Sequence, residues 1–138
     1  MDDNCDVCIV GAGLAGLNAL FVASRYLTRD QKVILVDRRA RVGGMWVDTY
    51  PYVRLHQPHP MFTAGNIAWT LNRERSYLAD KGEVLDHFTH CLAEITTRIT
   101  LDERYGWTLE SDEETADGVH VTCRDASGDV RVIRTGRL

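Results

Sequence analysis

Three glycines, Gly11, Gly13 and Gly16, constrain this chain more than any other feature because they mark the junction of two different apolar patterns. Before them, Cys5 to Val10 is a short apolar run suited to a buried strand. After them, Leu14 to Leu27 carries apolar residues on almost every side, as a helix packed on a sheet does. Val33 to Val36 then reads as a second buried strand. These elements make a βαβ unit over residues 5–37, whose strands must run parallel and whose crossover must be right-handed. The expected class is therefore α/β, and 138 residues suffice for one core without disulfides or a structural metal.

Each glycine has a physical task at such a junction. Gly11 permits the tight turn, Gly13 lets backbone approach a pyrophosphate, and Gly16 lets the helix pack close to the strand. The N–H groups of Leu14, Ala15 and Gly16, at the positive end of the helix dipole, can hold an anion without a lysine. Asp37 ends the second strand, 21 positions after Gly16, where an acid accepts hydrogen bonds from the ribose of an adenosine. A carboxylate there repels a 2′-phosphate, which leaves FAD or NAD as the ligand; Arg38 and Arg39 beside it soften that exclusion.

Beyond Asp37 the pattern changes. Residues 38–79 keep no period, and prolines at 51, 58 and 60 interrupt any long element, so this stretch reads as a cofactor-covering loop with short helices allowed near Ala64 to Leu71. Asp80 with Glu83 forms a capping-box pattern before a helix over 80–99, with Val84, Phe88, Cys91, Leu92, Ile95 and Ile99 on one stripe. Tyr105 to Ser111, Val119 to Arg124 and Val130 to Thr135 alternate apolar and polar residues between turns, which suggests a three-stranded antiparallel meander over 104–135.

The run Asp37-Arg-Arg-Ala-Arg-Val-Gly43-Gly44-Met45-Trp46 resembles the flavoprotein pattern in which an acid is followed six residues later by Gly-Gly. With the glycine turn ahead of it, it is similar to the FAD site of flavin-containing and Baeyer-Villiger-type monooxygenases. The resemblance implies FAD as cofactor and a Rossmann-like FAD/NAD(P)-binding fold, in which a helix and a short strand follow the loop and precede the three-stranded meander, an order that residues 80–135 can supply. It also implies that Gly43 and Gly44 pass close to the phosphates and ribityl chain, with Arg38, Met45 and Trp46 nearby. Two departures stand out: Asp37 replaces the usual glutamate, and Tyr50-Pro51-Tyr52-Val53-Arg54-Leu55 keeps only part of the motif that follows the tryptophan. The family also carries a second glycine fingerprint for NADPH and a segment returning to the flavin, neither of which these residues contain. The expectation is the FAD-binding portion of an NAD(P)H-dependent monooxygenase, inactive by itself, with NAD(P)H serving only the complete enzyme. The other reading is a non-catalytic module for FAD or NAD completed by another chain.

The remaining features narrow the partners. A net charge of −4 without a dense basic cluster argues against nucleic acid, and no apolar run is long enough for a membrane span. No signal peptide is recognised, so a cytoplasmic location and reduced thiols are expected. Cys5 and Cys8 should point to opposite faces of their strand. His87 and His90 fall with Glu94 opposite the apolar stripe, which predicts solvent exposure, and neither they nor His56 with His59 make a metal set. Arg54, His56 and Gln57 are candidate catalytic donors toward a reduced flavin, from their place after Trp46 alone.

Overall fold

A computed structural model describes residues 2–138. Six strands form one twisted sheet in the order β3-β2-β1-β6-β5-β4, with two helices packed on one face. The glycine junction separates β1 (Asp2–Val10) from α1 (Leu14–Tyr26), and β2 (Lys32–Asp37) returns parallel to β1 with Val7 opposite Val33 and Val10 opposite Val36. All of Val33 to Asp37 is buried, as a continuous apolar strand in a covered parallel sheet must be.

Residues 38–79 contain only two short 3-10 turns, Gly44–Val47 and His59–Met61, and none at 64–71. Then α2 (Lys81–Thr96) begins at the capping box: Asp80 Oδ1 accepts from Glu83 N at 2.9 Å, and Glu83 Oε1 accepts from Asp80 N at 3.0 Å. Such a cap is worth about 1 kcal/mol. Val84, Phe88, Cys91, Leu92, Ile95 and Ile99 are all buried against α1 and the sheet, as the stripe predicts. Full burial of Phe88, Leu17 or Leu20 contributes about 2 kcal/mol each, which is what holds both helices to one face.

The C-terminal strands need a correction. Residues 100–105 form β3 (Thr100–Tyr105), parallel to β2 along its length, so Tyr105 ends a strand instead of opening the meander. The chain turns at Gly106, whose φ is +72°, and the meander proper is β4 (Thr108–Thr115), β5 (Gly118–Arg124) and β6 (Val130–Arg137). It does not stand apart: β6 pairs parallel with β1, Asp3 opposite Ile133 and Cys5 opposite Thr135. The second face of the sheet is thereby closed over Cys8, Ile34, Val36, Trp107, Val121, Cys123 and Ile133. The outermost strand, β4, is wholly exposed and carries Glu110, Asp112, Glu113 and Glu114, charges that discourage edge-to-edge pairing.

Two side-chain expectations fail. His87 is only 3% exposed, because residues 59–71 lie over that side of α2. Its ring stacks on Trp69 at 4.0 Å, and its Nε2 is 2.7 Å from Thr63 Oγ1 and 3.3 Å from Cys91 Sγ. The Thr63 hydroxyl donates to Ile67 O at 2.7 Å, so His87 Nε2–H is the donor and Nδ1 is left without a partner among the described residues. Cys5 and Cys8 also depart from strict alternation: Cys8 belongs to the apolar cluster beneath the meander, and Cys5 packs against the same cluster. The four cysteines are all free.

Candidate functional site

The end of β1, the start of α1 and the loop after β2 meet at one cleft of about 430 Å³, lined by Gly11, Gly13, Gly43, Met45, Trp46 and Phe62 among others. Gly11 takes a φ of +107°, accessible without strain only to glycine, and donates its N–H to Val36 O at 2.7 Å. A Cβ on Gly16 would stand 1.8 Å from Gly11 O, so the third glycine lets the helix sit on the turn itself. Gly13 is the N-cap of α1 and offers no side chain to the first-turn N–H groups; no acid lies in that turn. The donors at Leu14, Ala15 and Gly16 therefore remain for an anion.

Gly43 and Gly44 meet this turn directly. Gly43 N donates to Ala12 O at 2.9 Å, and a Cβ on Gly44 would lie 2.8 Å from Gly13 Cα. Both have positive φ, +143° and +57°. The two glycine motifs thus form one cradle, backbone against backbone, where any side chain would fill the space beside the helix N-terminus. Trp46 is buried with its ring edge-on to Phe62 at 6.1 Å, closing the cradle's inner wall, while Met45 is 64% exposed at its rim.

Asp37 is buried, and both carboxylate oxygens are engaged: Oδ2 accepts from Ala12 N and Oδ1 from Arg39 N, each at 2.7 Å. It ties the glycine turn to the end of β2, and each oxygen keeps a further lone pair for a ribose hydroxyl. Of the arginines that follow, Arg39 pairs with Asp48 at 2.7 Å, and Arg41 bonds Val42 O and Thr89 Oγ1. Arg38 is exposed beside the cradle and makes no ion pair among the described residues.

The three candidate donors from the loop lie elsewhere. Arg54 is exposed, donates to Tyr77 Oη at 3.2 Å and Leu78 O at 2.9 Å, and its backbone bridges Asp80. His56 and Gln57 are exposed, and none of the three lines the cleft. His59, by contrast, is buried, with Nδ1 2.8 Å from Tyr77 O. Sequence reasoning missed Phe62 as a wall residue and missed the contact between the two glycine motifs. The available signal for the latter was that Gly43 and Gly44 follow the end of β2 by a short loop, while the glycine turn follows the end of the neighbouring β1. Among the described residues, no three metal-ligating side chains gather, and no helix is long and apolar enough to cross a membrane.

Comparison with known proteins agrees with this geometry. The putative FAD-containing monooxygenase MymA of Mycobacterium tuberculosis is 30% identical over 141 aligned positions, covering 95% of this chain and 26% of that protein. The FAD-containing monooxygenase EthA of Mycolicibacterium smegmatis is 36% identical over 66 positions, or 47% of this chain and 13% of that one. Among solved structures, a flavin-containing monooxygenase from Stenotrophomonas maltophilia superposes with a TM-score of 0.72 at 18% identity, covering 96% of this chain and 37% of that chain. The chain thus spans about a quarter of MymA and shares its fold with one part of the larger enzymes. The sequence profile of NAD(P)-binding Rossmann-like domains matches residues 9–80, more than half of the 138, and the chain belongs to that family.

Proposed function

We propose that this chain is the FAD-binding portion of a flavin-dependent oxidoreductase, whose complete form is an NAD(P)H-dependent monooxygenase. The observation that carries the reading is the closure of Gly44 onto Gly13. A dinucleotide site needs the first glycine turn; the second turn locked against it, with Met45 and Trp46 continuing the wall, suits a ligand that runs on past the pyrophosphate. The FAD-containing relatives MymA and EthA support the same choice.

In this reading the first-turn N–H groups of α1 hold the pyrophosphate, supported by the helix dipole. Asp37 fixes the turn through Ala12 N–H and receives ribose hydroxyls on its remaining lone pairs. Arg38 lies against the adenosine end, and Gly43 and Gly44 admit the ribityl chain. FAD, once bound, supplies the electron transfer and oxygen chemistry, and this chain supplies grip and orientation. Arg54, His56 and Gln57 lie outside the cleft walls, so this portion binds the cofactor and leaves substrate handling to the rest of the enzyme.

The test is a visible spectrum of the purified protein with mass analysis of whatever denaturation releases. Flavin absorbance with the mass of FAD is the expected result. Released NAD, or NAD bound in titration while FAD is refused, overturns the assignment.

A further inference from the structure

The loop over α2, residues 59–71, enters the cofactor cleft with one side chain, Phe62, which stands beside Trp46 and Met45 at the apolar end of that cleft. Its ring stacks on Phe88 of α2 at 5.6 Å, and its carbonyl accepts from Trp69 Nε1–H at 3.1 Å. Trp69 in turn lies flat on the His87 ring, with centroids 4.0 Å apart, and meets the His59 ring at a steep angle at 5.1 Å. His87 also holds the start of the same turn. Its Nε2–H donates to Thr63 Oγ1 at 2.7 Å, with Cys91 Sγ 3.3 Å from the same nitrogen, and the Thr63 hydroxyl donates onward to Ile67 O at 2.7 Å. From α1, Asn18 reaches Thr63 O and Gly65 N.

A histidine at this place costs stability. Its Nδ1 is buried without a partner among the described residues, and burying an unpaired polar atom is unfavourable. Phenylalanine would stack on Trp69 without that cost. What the imidazole adds is an N–H that holds the Thr63 oxygen and leaves its hydroxyl hydrogen for Ile67 O, closing the turn behind Phe62.

We propose that His87 is a positioning residue for the part of the cofactor beyond the pyrophosphate: held between Thr63 and Trp69, it fixes Phe62 in the cleft wall. The inference rests on the FAD reading of the cradle. Its physical basis is preorganisation. A wall residue already fixed in the free protein loses no freedom when the ligand arrives, whereas a loosened one is ordered at that moment and weakens binding. ADP is a different case. It engages Asp37 and the glycine turn, whose hydrogen bonds run among Ala12, Val36 and Arg39 and not to the 59–71 loop among the described residues. Affinity for FAD therefore depends on His87, and affinity for ADP does not.

The experiment is calorimetric titration with FAD and with ADP, at neutral pH, of the unaltered protein and of His87→Ala, Thr63→Val and Asp80→Ala. Ordering one loosened loop residue on binding should weaken FAD about tenfold in His87→Ala and in Thr63→Val, with ADP changed by less than about twofold. His87→Gln, whose side-chain amide again offers an N–H to Thr63, should recover most of the loss. Asp80→Ala weakens α2 at its cap and not at this loop, and should change neither affinity. Thr63→Val keeps the branched shape and reports on the loop should His87→Ala fold poorly. In the unaltered protein, FAD and not ADP should slow amide hydrogen exchange over residues 59–71. Unchanged FAD affinity in both loop variants, equal losses of FAD and ADP affinity, or the same exchange over 59–71 with either ligand overturns the role given to His87. Refusal of FAD by the unaltered protein while ADP binds overturns the FAD reading itself, and this inference with it.

Discussion

Exchanging one methyl group between Gly16 and Gly13 separates packing from binding. In Gly16→Ala the new Cβ falls 1.8 Å from Gly11 O and 2.8 Å from Gly11 C. A carbon and a carbonyl oxygen need about 3.2 Å, so either the turn or the helix must move by more than about 1 Å, and both partners are backbone held by β1 and α1. The cost belongs at the upper end of overpacking, about 3 kcal/mol, equivalent to a fall in melting temperature of about 10 °C for a chain of this size. In Gly13→Ala the Cβ meets Gly44 Cα at 3.3 Å, and Gly13 has an ordinary φ of −89°. A displacement of a few tenths of an ångström suffices, costing about 1 kcal/mol or less, yet the methyl group occupies the space between the two glycine turns where the phosphates must approach. Urea denaturation followed by circular dichroism, with FAD titration of each folded variant, reads both quantities. Gly16→Ala should lose stability, whereas Gly13→Ala should keep it and lose affinity. Equal stability losses in the two variants would refute the assignment of one glycine to helix packing and the other to ligand approach.

Three further outcomes follow from buried polar contacts. Asp37→Asn places an amide N–H against Ala12 N–H or Arg39 N–H, and should cost about 2 kcal/mol in urea denaturation while weakening FAD binding. Asp80→Ala removes the cap of α2 and should cost about 1 kcal/mol by the same measurement, with FAD affinity unchanged. Burial, together with His90 and His59, holds His87 down to a pKa of about 4, below its unfolded value of 6.5, so its contribution is complete above pH 6.5 and is lost as pH falls toward 4. About 3 kcal/mol should disappear over that window, and His87→Phe, which can keep the stack on Trp69, should flatten the pH profile of stability.

What could be read from the sequence was whatever local spacing encodes. The glycine turn, α1 and β2 follow from neighbouring residues, and Asp80 with Glu83 announces α2 because a cap is a contact across three residues. By contrast, the resemblance implied a short strand between α2 and the meander but local spacing did not mark β3: Thr100 to Tyr105 has little alternation, and its parallel pairing with β2, some 68 residues away, makes it a strand. The docking of β6 against β1 is likewise a register between distant segments. His87 was misplaced because a helical wheel shows the face away from the sheet but not the loop lying over it, with Thr63 and Trp69 supplying its partners. The contact of Gly44 with Gly13 belongs to the same class, since each motif was visible alone and their meeting was not. For Cys5 and Cys8, the ideal alternation of a strand was the wrong guide to two side chains that share one face.

If this cradle grips the adenosine-pyrophosphate part of FAD, smaller nucleotides that carry that part should compete for it. Protein is titrated with FAD while flavin fluorescence is followed, and ADP, NAD and NADP are then added in turn. The expected result is saturable FAD binding, displacement by ADP because ADP carries the gripped portion, and little displacement by NADP, whose 2′-phosphate would meet the Asp37 carboxylate. Binding of FAD that ADP cannot displace, or displacement by NADP as effective as by ADP, would contradict it.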